Sequence, residues 1–551
     1  VTETIAPIAE SPRTSAAARI GWAILILATL YVCYFSHLGA IGFVGPDEPR
    51  YAWIARDMAE TGDWVTPRLY GKPWFEKPVL YYWGAALCFK TFGVSEAAAR
   101  LPSAISALLA TLALAWLALR LYGAETARWL LLLLPTTVGM IGFSHAAATD
   151  MPFSGMLTIA MVCAAVVLGL TRNENTPILP RTPWLALFLF GFFLGLAVLA
   201  KGPAAIILSG GAIFFWALFT KRWRDAFRFF HAAALASFCL TALPWYILCA
   251  RRNPDFFRIF IIEHNFKRYL TPEFQHIQPF WFYLPIVLLA LLPWTSTLAA
   301  IANDLRRALV VGYWRTAPSL YFACWIAFAF VFFTASKSKL PGYVLPAIPP
   351  LGMLLARSLS MRVRKIVPGN RWIGIMNGTV LFVLGVFVAL QSDLLHVTGA
   401  AVALLGCGLA SSVLGDVRGY SISVVFGVLA VILAINLGLG ATSGQAIDSS
   451  VSARPAFQRA QAISPSYSPN LASTYKLQRS FLYSLNFYFH RELPEWSPGS
   501  VQPVWVFTPR EERNELQSLG LKCPSYGFNS RVVICEDPGS ANRPANSGQP
   551  H

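Results

Sequence analysis

The chain has 551 residues, of which 56% are apolar and 13% charged, against about 25% charged in an ordinary soluble domain. With a mean hydropathy of +0.52 and apolar runs recurring along most of its length, it is excluded from the soluble globular class and reads as a polytopic membrane protein. A net charge of +17 would point to nucleic acid in a soluble chain; here the basic residues sit in short links between apolar runs, so no nucleic acid is expected and anionic membrane lipid is the expected partner of those links.

Gly21 to Phe35 has the composition of a leader. It lacks an Ala-x-Ala stop and further spans follow it, so it reads as the first transmembrane helix. Thirteen spans are expected, near 20–38, 101–119, 129–147, 151–169, 184–200, 203–219, 231–249, 280–300, 319–335, 341–356, 373–390, 395–413 and 420–440. The stretch 79–92 is apolar but short, which suits an interfacial or re-entrant helix. With thirteen spans the links holding Arg120 and Arg128, Lys221 to Arg228, Arg306 and Arg307, and Arg357 to Arg371 all fall on one side. The positive-inside tendency makes that side cytoplasmic, with the N-terminus inside and the C-terminus periplasmic.

Residues 39–79 form the first external loop. It opens with "GPDEPRYAWIARDM", and "YAWIARDMAET" has apolar positions at helical spacing, predicting a helix lying along the membrane surface. In "YGKPWFEKPVLYYWG" two Lys-Pro steps hold Lys72 and Lys77 extended among interfacial aromatics. A second external loop, 250–279, is dense in cations, histidines and carboxylates. After the transmembrane domain of 1–440, residues 441–470 are rich in Ser, Ala, Pro and Gln and predict a loose linker. Residues 471–540 predict a small domain, with "VQPVWVFT" and "SRVVICE" as strands around a helix near 510–519, and 541–551 a disordered tail. Cys523 and Cys535 are the only cysteine pair in the outer tail, where a disulfide can form. The fold class is an all-α polytopic membrane protein with a small periplasmic α/β domain, expected as a monomer.

The unusual polar residues converge on the external face from separate segments: Asp47, Glu48, Arg50, Lys72, Glu76, Lys77, Asp150, Lys201, His264, Arg268, Lys337 and Lys339. Charge at a membrane edge costs free energy unless it is paired or functional. No Gly-rich phosphate loop, dinucleotide fingerprint or zinc-type spacing accompanies it, which argues against ATP or NAD chemistry. Outside an inner membrane, a group donor is most naturally carried on lipid, and a polyprenyl phosphate sugar fits. Lys77, Lys201, Arg268, Lys337 and Lys339 would stabilise its phosphate as the sugar–phosphate bond breaks. Asp47 or Asp150 would orient or deprotonate the acceptor. Glu48, Arg50, Lys72 and His264 would line the substrate pocket. Asp47, Glu76 and Asp150 have the residue types to hold a divalent metal if they converge; no other cofactor is expected.

The ordered set "GPDEPRYAWIARDM", "KPWFEKPVLYYW", "SHAAATDMP", "LAKGPAA", "PWY", "EHNFKRYLTPEFQHIQPFWFYLP" and "SKSKLPGYVLPAIPPLGMLLA", over residues 45 to 355, resembles the glycosyltransferase family 39 membrane proteins. Within them it is most similar to the bacterial undecaprenyl-phosphate-sugar transferases that add aminoarabinose to lipid A and confer polymyxin resistance. The resemblance implies the membrane glycosyltransferase C fold, a polyprenyl phosphate sugar donor and transfer with inversion. It implies that Asp47 is the essential acid, with Asp150 its partner and Glu76 near a metal or acceptor. It also implies that Lys77, Lys201, Arg268 and Tyr343 contact the donor phosphate, with His264 beside them. Two rivals are a protein O-mannosyltransferase, or other polyprenyl-phosphate hexose transferase, and a transporter of lipid-linked sugars. A transporter would spread its polar residues through the bilayer midplane, which this pattern does not.

Overall fold

The computed structural model describes residues 15–171, 183–270, 277–364, 371–391, 395–414, 419–463, 471–498, 504–523 and 531–537. The expected disordered tail, 541–551, lies outside these residues. Among the described residues, eight helices are long and apolar enough to cross a membrane. Two further pairs meet that test only as bent units, Ala124–Leu133 with Val138–Ser144 at 63° and Tyr283–Ala290 with Thr295–Val311 at 113°. Ala204–Thr220, Ser319–Ala335 and His396–Ala410 are apolar but shorter.

The straight spans expected at 129–147 and 280–300 are therefore corrected: in each place the helix is interrupted and the chain bends. Each break holds a proline, Pro135 or Pro293, which lacks the N–H that a continuing helix needs. After the first break Thr137 caps the new helix, its Oγ1 accepting from the Met140 amide at 3.4 Å. The stretch 79–92 is a helix, Leu80–Phe92, with Tyr81, Tyr82, Ala85 and Ala86 fully buried.

Asp150–Val167 is the central helix, buried on nearly all sides. It packs against Glu96–Tyr122 and Trp184–Lys201, so its first residue, Asp150, reaches the level of the last residue of its neighbour, Lys201. The loop helix, Asp47–Thr61, starts four residues before its expected first position and turns Tyr51, Ala52, Ile54, Ala55 and Met58 inward. Pro49 stands in its first turn, where no intrahelical N–H is required.

Glu48 holds that helix down. Its carboxylate accepts from Arg100 Nε and Nη2 at 3.0 and 2.8 Å, and from the amides of Val44 and Ala147, each at 2.7 Å. Arg100 also donates to the carbonyls of Leu38, Ile41 and Gly42 at 2.7–2.9 Å. Both side chains are buried. Glu48, expected in the substrate pocket, is thus committed to the scaffold. An ion pair with this many further partners offsets the cost of burying two charges.

The expected loose linker is also corrected. Ala441–Val451 and Arg454–Ile463 are helices, and Arg454 reaches Asp448 at 2.6 Å, the carbonyls of Gly39 and Ala40 at 2.8 and 2.6 Å, and Glu96 at 3.3 Å. Composition alone does not register these specific partners.

Beyond it lies a three-stranded sheet: Ala472–Thr474 pairs parallel to Val504–Pro509, which pairs antiparallel to Val532–Asp537 in the register Val504↔Asp537 to Pro509↔Val532. The two longer strands and the helix Arg513–Ser518 stand where the alternation put them. Phe507 and Ile534 face a core with Phe481, Leu485 and Phe489, while Val506 and Cys535 face a second core with Leu516 and Leu521. Cys523 and Cys535 are joined in a disulfide.

Replacing Arg100 by Met leaves the Glu48 carboxylate buried without its cation. The expected loss is about 3–5 kcal/mol of stability, read as a lowered melting temperature of the detergent-solubilised protein. A melting curve like that of the wild type would remove Glu48–Arg100 from its anchoring role.

Candidate functional site

Two charge clusters form on the same end of the bundle as the first loop. The first is built on the loop helix. Asp47 and Arg50 are one turn apart, the spacing at which helix side chains meet, and Arg50 Nη2 donates to Asp47 Oδ1. Its Nη1 donates to Glu76 Oε2 at 3.2 Å and its Nε to the Pro46 carbonyl at 3.0 Å. Lys77 Nζ stands 3.5 Å from Glu76 Oε1. The rings of Tyr51, Trp74 and Tyr483 surround the guanidinium, with centroids 5.9, 5.7 and 5.5 Å from Cζ. Burial opposes the charge on Arg50, but Glu76 and Asp47 outweigh it and push its pKa up. Exposure separates the members: the Asp47 side chain is 51% exposed, those of Arg50 and Glu76 13% and 12%. The cluster thus presents one open carboxylate on a buried cationic mount.

The second cluster joins three segments. Lys201 Nζ lies 2.5 Å from Asp150 Oδ1. The acid begins one helix and the base ends another, the placement that both helix dipoles favour. The ammonium sits 4.6 Å from the Tyr343 ring centroid and 5.7 Å from that of Phe153, within cation–π reach. Gly342 makes this possible, since a Cβ there would lie 2.5 Å from Asp150 Oδ1 and 3.0 Å from the Phe143 ring.

The other candidates are placed less centrally. Lys339 is buried, donates to the Gln278 carbonyl at 3.2 Å, and has its pKa lowered by burial and then by Lys337. Lys337 and Lys72 are exposed, Lys72 on the two-residue strand Lys72–Pro73. His264 is half-buried in the π-helical stretch Arg258–Lys267, a geometry that recurs at functional sites. Arg268 opens the short helix Arg268–Leu270, and its side chain lies outside the described residues. Among the described residues no group of three or more His, Cys, Asp and Glu could hold a metal ion. The set Asp47, Glu76 and Asp150 is therefore corrected: Asp47 and Glu76 meet through Arg50, while Asp150 pairs with Lys201.

Sequence reasoning did not single out Arg100, Gly342 or Tyr483. Arg100 carried a usable signal, a charge at the head of an apolar run. Gly342 and Tyr483 carried none, because their importance lies in what they approach.

Residues 20–260 match the family described as dolichyl-phosphate-mannose-protein mannosyltransferase. A protein of Erwinia tasmaniensis is 32% identical over 359 residues, 64% of this chain and 62% of its own length. One from Pseudomonas aeruginosa strain UCBPP-PA14 is 32% identical over 379 residues, 67% of this chain and 65% of its own. Both are named undecaprenyl phosphate-alpha-4-amino-4-deoxy-L-arabinose arabinosyl transferase, and the chain matches less than two thirds of either. The crystal structure of ArnT from Cupriavidus metallidurans bound to undecaprenyl phosphate superposes with a TM-score of 0.74 at 24% identity, over 96% of this chain and 99% of that one. The fold is thus the membrane glycosyltransferase C fold that the motifs implied.

Two outcomes test the geometry. Gly342→Ala overpacks the second cluster, displaces Asp150 from Lys201 and costs about 1–3 kcal/mol, measurable by thermal melting; an unshifted melt would show that the carboxylate need not approach so closely. Asp63, which shapes the first loop, accepts from the Val65 and Thr66 amides at 3.1 and 3.2 Å and pairs with Arg252 at 3.1 Å. Burial would raise its pKa, but these partners outweigh it and lower it from the ordinary 3.8. Its contribution is therefore present above pH 3.8 and lost as pH falls through the depressed folded value. Asp63→Asn should flatten that acid limb of the stability curve, and an unchanged limb would assign it to other carboxylates.

Proposed function

From a chain whose residues 20–260 carry a domain of the dolichyl-phosphate-mannose-protein mannosyltransferase family, the glycosyltransferase family 39 of its motifs, we propose an inverting transfer of 4-amino-4-deoxy-L-arabinose from undecaprenyl phosphate to a lipid A phosphate. The reaction would take place at the periplasmic face of the inner membrane, with the N-terminus cytoplasmic. The observation that carries this reading is the pairing of one open carboxylate, Asp47, with cations held ready at its flank and at Lys201. The names of the relatives supply the sugar and the lipid carrier.

The steps follow from the charges. The donor keeps its polyprenyl chain in the bilayer, so its phosphate arrives at the level where the spans end. There it meets Lys201, whose ammonium is already steadied against the Tyr343 ring; the phosphate competes with Asp150 for it. An oxygen of the acceptor phosphate attacks the anomeric carbon on the face opposite the leaving group. The new C–O bond forms as the old one breaks, and the electron pair departs on the polyprenyl phosphate. Lys201 and Lys77 stabilise that charge. An acceptor phosphate is already ionised and needs little help from a base. Asp47 therefore acts chiefly by orienting the reactants, fixed in direction by Arg50.

The family's description supports a second reading, mannosyl transfer to a protein hydroxyl. A Ser or Thr acceptor has a proton to lose, and Asp47 would then be a general base. Purified protein given undecaprenyl phosphate aminoarabinose or polyprenyl phosphate mannose, with lipid A or a Ser/Thr peptide, separates the two by the mass of the product. Aminoarabinose on lipid A supports the first; mannose on peptide alone replaces it. Product from neither pair rejects both.

Asp47→Asn keeps the size of a half-exposed side chain. Transfer should fall by about 100-fold, the scale of a lost orientation, while the melting temperature holds. Full activity in that variant would move the orienting role to another residue.

A further inference from the structure

The small C-terminal domain reaches the first cluster. Its helix Arg479–Phe489 lies on the loop helix through one face. Tyr483 covers Arg50, with ring centroid 5.5 Å from Cζ. Asn486 donates to the Tyr70 hydroxyl at 2.9 Å. Arg56 donates to the Phe487 carbonyl at 3.4 Å and lies over its ring. His490, just past the helix end, meets Glu60 at 3.0 Å. Tyr483, Phe487 and His490 recur at helical spacing, and their partners Arg50, Arg56 and Glu60 follow in the same order. The two helices therefore run in the same direction, and the end of the contact that carries Tyr483 is the end that carries Asp47.

We propose that Tyr483 is a positioning residue for the acceptor side of the reaction, holding Arg50, and through it the Asp47 carboxylate, in place. The proposal rests on the transferase reading above. Three observations carry it. Arg50 is directly bonded to Asp47, so anything that fixes the guanidinium fixes the open carboxylate. Trp74 belongs to the first loop, but Tyr483 comes from a domain more than 400 residues downstream, which makes the site incomplete without that domain. Both substrates keep lipid chains in the bilayer, so the side is set by the cluster that Tyr483 touches: it covers the Arg50–Asp47 pair, which in the transferase reading orients the acceptor, and not Lys201, which meets the donor phosphate. The acceptor class is a lipid saccharide bearing an anionic phosphate, whose hydroxyls would donate to the open Asp47 carboxylate while its phosphate is drawn toward Arg50.

The test compares Tyr483→Leu, Tyr483→Phe and His490→Gln in the full-length protein. His490→Gln loosens the far end of the same docking face. Tyr483→Leu should raise the acceptor KM about tenfold, the scale of one partly desolvated cation–π contact, with the donor KM unchanged. Tyr483→Phe, which keeps the ring, should restore the wild-type value, and His490→Gln should retain it. Modification of Arg50 by phenylglyoxal, mapped by peptide mass spectrometry, should rise only in Tyr483→Leu. A wild-type acceptor KM in Tyr483→Leu, failure of Phe to rescue, or an equal defect in His490→Gln each overturns the proposal. So does unchanged Arg50 reactivity, and that readout holds even if the wild-type protein transfers no sugar. In that case the transferase reading falls separately.

Discussion

The buried pair of Glu48 and Arg100 decides which way the loop helix faces. Consecutive residues on a helix are about 100° apart, so a carboxylate fixed inward at 48 sends its neighbour at 47 toward another side. Glu48 is fixed by two bonds from Arg100 and two backbone amides, and Asp47 is left half-exposed. Neither residue could exchange roles with the other without stranding a buried arginine, which is costly in a low dielectric. The openness of Asp47 is thus a consequence of the scaffold beneath it.

The start of the same loop is gripped from a second direction. Gly42 gives its carbonyl to Arg100 and its amide to Asp448 at 2.7 Å. A Cβ at this position would lie 2.5 Å from Ser452 Oγ and 2.8 Å from Arg454 Cβ, so a glycine is what allows the chain after the last span to close over the loop. Tyr488 completes the joint, its hydroxyl donating to Glu96 at 2.7 Å. The first loop and the C-terminal segment are in this way one structural unit, although they sit at opposite ends of the chain.

Much of this was legible in the residues, for reasons of period and residue type. Alternation in "VWVFT" and "RVVICE" marked two strands because one face of each had to be apolar. The third, Ala472–Thr474, has three small residues and no period to read. Helical spacing marked the loop helix, and charges at span ends drew attention to Asp47, Asp150 and Lys201. The pattern could not separate Glu48 from Asp47, since both are acids at adjacent positions and only the location of Arg100 distinguishes them. The same limit explains the metal set: three acids on one face satisfy the residue types, but Arg50 and Lys201 occupy the carboxylates instead. The linker read as loose because composition averages over Asp448 and Arg454, the two residues that anchor it.

The described cations of both clusters already rest against carboxylates: Arg50 on Asp47 and Glu76, Lys77 on Glu76, Lys201 on Asp150. A site of bare cations at a membrane edge would pay heavily in desolvation before any substrate arrived. Pre-paired cations avoid that, and a phosphate then binds by exchange, taking over an ammonium from a carboxylate instead of adding a new ion pair. A donor phosphodiester carries one charge, as the carboxylate it displaces does, so exchange is nearly balanced at binding and gains as the second charge develops on the departing phosphate; a neutral sugar hydroxyl could not compete for the ammonium. It would also draw Lys201 away from Asp150, so that contact would change only when a substrate is present. The pairing seen at rest is thereby part of how such a site would discriminate its ligands.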